Sequence, residues 1–209
     1  MRYDLVIFDF DGTLADSAEW TLGILNQVAE RYGFRQVSEA ETAMLRGWDN
    51  RAIIRYLGVP AWKLPLIANH MRKLAARDAG QIRLFPGVDA LLARLSGAGV
   101  RLAIVSSNAE ENVRRILGPA NSALIAHYAC GASIFGKAAK FRQVLRASGI
   151  ARSRTLCIGD EARDIEAAVA ERLACGAVTW GYATPELLRA REPTLLFRSL
   201  DEIGAAVTL

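Results

Sequence analysis

Short, mainly apolar runs recur along this chain of 209 residues, and helical patterns lie between most of them. The runs cover residues 5–8, 100–105, 124–129, 155–158 and 174–178. Most are continuous rather than alternating, which is typical of strands buried on both faces of a parallel sheet. Since strand alternates with helix, the chain is predicted to form an α/β fold with a doubly wound, Rossmann-like parallel sheet.

Residues 15–85 interrupt this alternation, because their apolar positions are spaced as in helices and not as in strands. Ser38 and Glu41 have the spacing of a capping box, which marks the start of one of these helices. The sequence therefore predicts a discontinuous α/β core domain, residues 1–14 and 86–209, and an inserted helical cap domain, residues 15–85.

The composition is that of an ordinary globular protein, with 52% hydrophobic and 23% charged residues. No apolar run approaches the roughly 18 residues of a membrane-spanning helix, and no secretory leader is recognisable, so we expect a cytoplasmic protein without a membrane partner. The net charge is +4, but the basic residues are scattered, which argues against nucleic acid as a partner. The oligomeric state is left open between a monomer and a homodimer.

The first strand is followed at once by two carboxylates, Asp9 and Asp11. Gly12 permits a tight turn, so both side chains can face one pocket beyond the carboxyl end of the strand. Two carboxylates this close need a cation or a shared proton to neutralise them. Oxygen ligands favour Mg²⁺, and the cysteines and histidines have no zinc-site spacing. We therefore expect a Mg²⁺ site at this strand end.

A second polar cluster, Ser106, Ser107 and Asn108, follows the run at 100–105. Ser107 is spaced from Glu110 as an N-cap is from its capping-box partner, which predicts a helix that starts there. The free backbone N–H groups of such a helix, together with the Ser106 hydroxyl, would bind an anion at the same edge of the sheet.

Two further clusters supply a cation and more carboxylates. Lys137 and Lys140 are two of only four lysines in the chain, and either could neutralise a phosphate. Lys137 is nearer to the strand ends, so we favour it over Lys140. Asp160 follows the run at 155–158 as another oxygen ligand. Asp164, four residues on, faces the same way on a helix, where compensation of the helix dipole is an alternative role.

Taken in order, these motifs resemble those of the haloacid dehalogenase superfamily of phosphotransferases. The residues that carry the resemblance are Asp9-x-Asp11-Gly12-Thr13, Ser106, Lys137 and Gly159-Asp160-x-x-x-Asp164. The helical insert is similar to the small cap of phosphoglycolate-phosphatase-like and β-phosphoglucomutase-like members. The resemblance implies a Mg²⁺-dependent phosphatase that acts on a small phosphorylated metabolite.

The resemblance also implies a role for each motif residue. Asp9 would attack phosphorus and form an aspartyl-phosphate, and Asp11 would protonate the leaving oxygen and then activate water. Mg²⁺ would bind Asp9, Asp160 and the backbone carbonyl of Asp11, while Asp164 would support the metal shell or Lys137. The expected catalytic residues are thus Asp9, Asp11, Ser106 and Lys137, and the expected metal ligands are Asp9, Asp11, Asp160 and Asp164.

Departures from the family pattern leave alternatives open. Mutase members carry a histidine where this chain has Thr21, which favours hydrolysis over a sugar-phosphate mutase activity. The motif that begins at Lys137 lacks the Lys-Pro form common in the family, so Lys140 stays an alternative to Lys137. A non-catalytic phosphate-binding or regulatory protein is disfavoured by the complete motif set, and carbon–halogen cleavage is disfavoured because dehalogenase members lack an acid at the position of Asp11.

Substrate selection is expected in the loop that contains Arg46, Gly47 and Trp48. Arg46 could pair with a carboxylate or a second phosphate of the substrate, although a polar connection between helices, with Trp48 packed on the cap, fits as well. The loop at 180–182 could border the substrate pocket, but packing against the protein is the favoured interpretation. The candidate substrate-binding residues are Gly12, Thr13, Arg46, Gly47, Ser107 and Asn108.

Overall fold

Six parallel strands form the central sheet in a computed structural model that describes residues 2–131 and 136–208. In spatial order they are β5 (Ile125–Tyr128), β4 (Arg101–Ile104), β1 (Leu5–Phe8), β6 (Thr155–Gly159), β7 (Ala174–Val178) and β8 (Leu195–Phe197). The chain runs outward on one side of β1 and then returns to build the other side, so the order of strands switches at β1. The predicted α/β fold class is confirmed.

Both faces of the sheet are buried, which explains the continuous apolar runs. In β1, Val6 and Phe8 pack on one face and Leu5 and Ile7 pack on the other, all without exposed surface. Neighbouring side chains of a strand point to opposite faces, so a strand that is covered on both sides needs an apolar residue at every position.

Helices cover each face of the sheet. The first face packs against α5 (Val88–Gly97), α6 (Glu110–Leu124) and α10 (Leu200–Thr208), and the second against α7 (Lys137–Ser148), α8 (Ala162–Ala170) and α9 (Pro185–Ala190). Among residues 2–131 and 136–208, no helix combines the length and the apolar character that a membrane span requires.

Between β1 and α5 the chain forms four helices flanked by a short antiparallel strand pair. These elements are β2 (Ala15–Asp16), α1 (Ala18–Tyr32), α2 (Glu39–Leu45), α3 (Asn50–Tyr56), α4 (Leu64–Arg77) and β3 (Arg83–Leu84), with a 3-10 turn at Ala61–Lys63. We call α1 to α4 the helical segment. Its buried apolar residues form small clusters of their own, and the predicted capping box of Ser38 and Glu41 begins α2.

The helix after β4 begins later than the sequence predicts. Ala109 is its N-cap and Glu110 its first residue, so the predicted capping box of Ser107 with Glu110 is wrong. The backbone N–H of Asn108 donates to Oγ of Ser106 at 2.9 Å, and the N–H of Ala109 donates to Oδ1 of Asn108 at 2.9 Å. These local hydrogen bonds hold the preceding residues in a turn and delay the helix.

The sequence pattern also missed the shortest strands. β2 and β3 have two residues each and β8 has three, which is too few for a periodicity to be recognised.

Candidate active site

Three acidic side chains meet at the carboxyl end of the sheet. Asp9 directly follows β1, and Asp160 directly follows β6, the strand that pairs with β1. Asp164 lies in the first turn of α8. All three carboxylates are buried, and one oxygen of each lies within 4.8 Å of the others. They meet because neighbouring parallel strands end at a common edge.

Lys137 lies among these carboxylates. It is the first residue of α7 and only 2% exposed, and its Nζ forms ion pairs with Oδ2 of Asp9 and Oδ1 of Asp164. Lys140, on the next turn, is partly exposed and borders a surface cavity beside Cys130. The structure therefore places Lys137, rather than Lys140, against the acidic cluster.

Burial and charge act in opposite directions on the pKa values of this cluster. Burial raises the pKa of Asp9 to about 7, although the charge of Lys137 opposes the shift. Burial likewise raises the pKa of Asp160 well above its ordinary value. Burial works to lower the pKa of Lys137, but the charges of Asp164 and Asp9 outweigh it and the pKa is raised. One lysine thus leaves the carboxylates only partly neutralised, which favours a further cation.

Asp160 is held in place by two donors. Oγ1 of Thr13 donates to Oδ1 at 2.8 Å, and the backbone N–H of Tyr182 donates to Oδ2 at 2.8 Å. Gly12 lies against the same carboxylate with a φ of +79°; a Cβ there would overlap Asp160 and lie 2.5 Å from Cδ2 of Tyr182. Glycine is therefore needed both for the turn and for the close approach.

Asp11 is connected to the turn that follows β4. Nδ2 of Asn108 donates to Oδ2 of Asp11 at 3.2 Å, and Asn108 is held in turn by Ser106. Burial raises the pKa of Asp11, while hydrogen bonds from Asn108 and Ser17 act to lower it. A carboxyl with a raised pKa next to a buried carboxylate is a candidate for proton transfer near neutral pH.

Two of the predicted substrate-binding residues, Ser107 and Gly47, and the neighbouring Trp48 have partners within the protein. The carbonyl of Ser107 accepts a hydrogen bond from Nη1 of Arg72 in α4 at 3.3 Å. Gly47 forms a turn at the end of α2. Trp48 packs edge-on against Tyr56, with ring centroids 5.3 Å apart. Within the described residues, none of these three has a hydrogen bond to the acidic cluster.

Arg46 connects the helical segment to the sheet. Its Nε donates to the carbonyl of Tyr182 at 3.0 Å, and its Nη2 donates to the carbonyl of Gly181 at 3.0 Å. Its own carbonyl accepts from the N–H of Thr184 at 3.0 Å. The structure therefore places Arg46 on the loop after β7, with two of its donors bound to backbone oxygens.

Sequence reasoning missed Arg163 and Glu161, and for the loop of Tyr182 it favoured packing over a place beside the pocket. Nε of Arg163 donates to Oε2 of Glu161 at 2.6 Å, and the Tyr182 hydroxyl lies 2.9 Å from Oγ of Ser17 and 2.8 Å from Oγ1 of Thr21. Two signals were available. Arg163 stands between two motif aspartates, and Tyr182 follows a glycine shortly after a strand.

The donor set suits a hard divalent cation. Asp9, Asp160 and Asp164 offer carboxylate oxygens only, and oxygen ligands of this kind suit Mg²⁺ rather than zinc. A buried carboxylate, a neighbouring proton donor and a buried lysine at one strand edge are together the groups that phosphoryl transfer requires.

Comparison with known proteins agrees with this geometry. Residues 6–178 match the model of the haloacid dehalogenase-like hydrolase family. The phosphoglycolate phosphatase of Synechococcus elongatus is 33% identical over 97% of this chain and 96% of its own length. The tyrosine-protein kinase PtkA of Mycobacterium tuberculosis is 31% identical over 97% of this chain and 72% of its own length.

The fold has solved counterparts as well. The crystal structure of a predicted phosphatase from Clostridium acetobutylicum superposes with a TM-score of 0.83 over 99% of each chain, at 21% identity. At that identity the likeness shows the fold alone. The family model, in contrast, spans most of the sequence, and the chain therefore belongs to the haloacid dehalogenase-like hydrolases.

Proposed function

We propose that this hydrolase is a Mg²⁺-dependent phosphatase that removes the phosphoryl group from a small phosphorylated metabolite. The observation that carries the proposal is the buried cluster of Asp9, Asp160, Asp164 and Lys137, with Asp11 beside it. The similarity to a phosphoglycolate phosphatase over nearly the whole chain supports the same reaction class.

Asp9 is proposed as the nucleophile and Asp11 as the acid and base. Oδ1 of Asp9 accepts a hydrogen bond from the N–H of Phe10 at 2.7 Å, and Lys137 contacts its Oδ2, so the carboxylate is held in one orientation. Attack on phosphorus would form an aspartyl-phosphate and release the leaving oxygen, which Asp11 would protonate. Asp11 would then take a proton from the water that hydrolyses the aspartyl-phosphate.

Asp9, Asp160 and Asp164, with the backbone carbonyl of Asp11, are proposed to hold Mg²⁺. When bound, the ion would neutralise the phosphoryl oxygens so that a dianion can enter an acidic site. Lys137 is proposed to bind a phosphoryl oxygen at the same time, because a buried ammonium has several donors in a fixed position.

The turn after β4 is proposed to bind another phosphoryl oxygen. Oγ of Ser106 accepts the N–H of Asn108, so the hydroxyl proton of Ser106 is available for a different acceptor. Ser106 is completely buried, and α6 begins four residues later at Glu110, so the positive end of the helix dipole is close to Ser106.

We further propose that residues 15–85 are a cap domain over a core of residues 1–14 and 86–209. In the β2–β3 pair, Ala15 lies opposite Leu84. The two segments that connect residues 15–85 to the core therefore run side by side, as the two strands of a hinge do. A cap that closes over the site excludes bulk water and large substrates, which supports a small metabolite.

Hydrolysis is favoured over a mutase reaction. Thr21 stands where mutases of this type carry a histidine, and its hydroxyl is engaged with the hydroxyl of Tyr182. A threonine does not exchange protons with a sugar hydroxyl near neutral pH as a histidine does. The cytoplasmic location and the monomeric or homodimeric state stay predictions.

Hydrolysis of p-nitrophenyl phosphate tests the proposed function. We expect turnover that requires Mg²⁺, stops on chelation and is abolished by Asp9→Asn. Asp201→Asn, an exposed carboxylate in the first turn of α10, is the matched control and should keep full activity. Absence of turnover of both p-nitrophenyl phosphate and 2-phosphoglycolate would contradict a phosphatase, and wild-type activity in Asp9→Asn would contradict the nucleophile.

A further inference from the structure

Asn112 is a buried polar residue to which the proposed reaction gives no role. It lies in the first turn of α6, where this helix meets α4 of the helical segment, and is only 3% exposed. Burying an amide costs free energy unless its polar atoms find partners, and an apolar side chain would fill the same space at a lower cost. The partners of Asn112 therefore indicate why an amide stands here.

The amide nitrogen of Asn112 has two partners. Nδ2 donates to the carbonyl of Arg72 in α4 at 2.8 Å and to Oδ1 of Asn108 at 2.9 Å. Both partners are acceptors, so the nitrogen of the amide, and not its oxygen, has to face them. One side chain thus joins the backbone of the helical segment to the turn after β4.

Asn108 carries this constraint on to Asp11. The backbone N–H of Ala109 can only donate, and it donates to Oδ1 of Asn108 at 2.9 Å, the same oxygen that Asn112 contacts. Two donors therefore fix the amide oxygen of Asn108, which turns its nitrogen toward Asp11, and Nδ2 donates to Oδ2 of Asp11 at 3.2 Å. Asn108 is only 6% exposed, so water competes little for these hydrogen bonds.

A second hydrogen bond between α6 and α4 provides a comparison. Nη1 of Arg115 donates to the carbonyl of Ala76 at 2.9 Å on the exposed surface. This contact also runs from a side chain of α6 to a carbonyl of α4, which is sufficient to tie the two helices. Asn112 in contrast uses the same amide nitrogen for the residue that contacts Asp11.

We propose that Asn112 is a positioning residue of the reaction, which holds Asn108 against Asp11 and so places the acid of the first step. This inference rests on the proposed function. In that step Asp9 forms a bond to phosphorus, the bond between phosphorus and the leaving oxygen breaks, and the carboxyl proton of Asp11 passes to this oxygen. Such a transfer requires a short, aligned distance, so a small rotation of the carboxyl slows it. The carbonyl of Arg72 anchors Asn112, so the helical segment takes part in placing the acid.

The test asks whether Asn112 matters more when the leaving group depends more on an acid. We would measure kcat/KM for p-nitrophenyl phosphate and for phenyl phosphate, which have similar shapes, with Mg²⁺ present. Phenol is the poorer leaving group, so its release depends more on protonation. We call the first kcat/KM divided by the second the leaving-group ratio. It reports the steps up to the release of the leaving group, so the later hydrolysis of the aspartyl-phosphate does not enter it.

Asn112→Leu keeps the approximate size of the side chain and removes both hydrogen bonds. It should raise the leaving-group ratio by roughly 3- to 10-fold, the size expected when one ordinary hydrogen bond no longer supports the acid. A loss of stability alone lowers the amount of active protein for both substrates equally and leaves the ratio unchanged.

Asn121→Leu is the matched control. Asn121 is another buried asparagine of α6, and its Nδ2 also makes two hydrogen bonds, to Oδ1 of Asp89 at 2.6 Å and to the carbonyl of Leu117 at 3.0 Å. This variant should lose stability but keep the wild-type ratio. Arg115→Met, which removes the surface hydrogen bond between α6 and α4, should keep the ratio as well.

A double-mutant cycle with Asn108→Ala tests whether the effect passes through Asn108. Asn108→Ala should itself raise the leaving-group ratio. Asn112→Leu should raise it no further in that variant, because the residue through which it acts has lost its amide. If the wild type accepts 2-phosphoglycolate but neither aryl phosphate, the same cycle is measured with kcat/KM for 2-phosphoglycolate.

The possible outcomes separate this inference from the proposed function. If the wild type hydrolyses none of the three substrates, the proposed function fails, and the inference fails with it. If the wild type is active, the inference alone is overturned by a wild-type ratio in Asn112→Leu, by an equal rise in Asn121→Leu, or by independent effects of Asn112→Leu and Asn108→Ala. Should Asn112→Leu not fold, Asn112→Ser decides: a smaller rise of the ratio supports the inference, and the wild-type ratio overturns it.

Discussion

The backbone N–H of Tyr182 donates to Oδ2 of Asp160 at 2.8 Å, while the carbonyl of Tyr182 accepts from Nε of Arg46. The hydroxyl of Tyr182 lies within 2.9 Å of Ser17 and 2.8 Å of Thr21. One residue of the loop after β7 therefore connects a candidate metal ligand with the start of α1 and with the residue that ends α2. Any movement of the helical segment against the sheet has to break some of these hydrogen bonds.

We expect Tyr182→Phe to lower kcat/KM without weakening Mg²⁺ binding. The substitution keeps the backbone N–H on Asp160 and removes only the hydroxyl that holds Ser17 and Thr21, so α1 is less firmly placed. The loss of unfolding free energy should be about 1 kcal/mol. Activity assays measure kcat/KM, titration calorimetry measures Mg²⁺ binding, and urea unfolding measures the free energy of unfolding.

Tyr56→Phe is the control for this change. Its hydroxyl donates to Oε1 of Glu41 at 2.6 Å within the helical segment, so the variant should lose stability but keep kcat/KM. Equal kcat/KM in Tyr182→Phe and the wild type would contradict a role of this hydroxyl in the site.

Gly12→Ala should disable the site, whereas Gly99→Ala should only lower stability. Both glycines have a positive φ, +79° and +80°, so a methyl group strains the backbone by a comparable amount, about 1 kcal/mol or more. Only at Gly12 does the methyl also meet Asp160 and Tyr182, while nothing lies within 4 Å at Gly99. We expect kcat/KM to fall by roughly 100-fold in Gly12→Ala, because a displacement of Asp160 by about 1 Å is enough to cause a loss of this size. Similar activity in the two variants would argue against this.

Lys137→Met should destabilise the metal-free protein by about 3–5 kcal/mol, because the buried carboxylates of Asp9 and Asp164 lose their cation. Mg²⁺ should restore part of the loss. Lys140→Met, on the same helix but partly exposed, should change neither stability nor activity appreciably. Urea unfolding in EDTA and in excess Mg²⁺ measures the free energy of unfolding of both variants. An equal loss of this free energy in the two would refute the placement of Lys137, rather than Lys140, in the acidic cluster.

Asp11→Asn should slow both steps of the reaction, with kcat reduced by roughly 10²- to 10⁴-fold. An amide neither protonates the leaving oxygen nor activates water. With p-nitrophenyl phosphate, whose leaving group needs little protonation, the aspartyl-phosphate should accumulate and be visible by intact mass spectrometry after acid quenching. Asp16→Asn, an exposed carboxylate in β2, should behave as the wild type. No phosphorylated species in Asp11→Asn would speak against the covalent intermediate.

The metal-free protein should become less stable as the pH rises from about 4 to about 7. Burial raises the pKa of Asp9 from 3.8 to about 7, so in this interval the folded state binds its proton more tightly than the unfolded state does. Stability that depends on this proton is therefore present below pH 4 and lost as the pH passes through 7. Melting temperatures in EDTA check the trend, which Asp9→Asn should lessen and saturating Mg²⁺ should oppose. A melting temperature that rises with pH in EDTA would contradict the sign.

Local patterns in the sequence determined that the chain forms a buried parallel sheet and that carboxylates lie at one edge of this sheet. A strand with apolar residues at every position has to be buried on both faces, as β1 is. Asp9 and Asp160 each come directly after such a strand, and neighbouring parallel strands end at one edge, so their meeting follows from the order of elements alone. The capping box of Ser38 and Glu41 is equally local and was equally predictable.

Tertiary structure decided which of several similar side chains enter the site. Lys137 and Lys140 lie on one helix but point about 60° apart, and only the packing of α7 on the sheet brings Lys137 to Asp9. In the same way the carbonyls that bind Arg46, and the glutamate that orients Arg163, depend on where distant segments meet. A sequence pattern describes neighbours along the chain, whereas these contacts join residues that become neighbours only when the helical segment and the sheet have packed together.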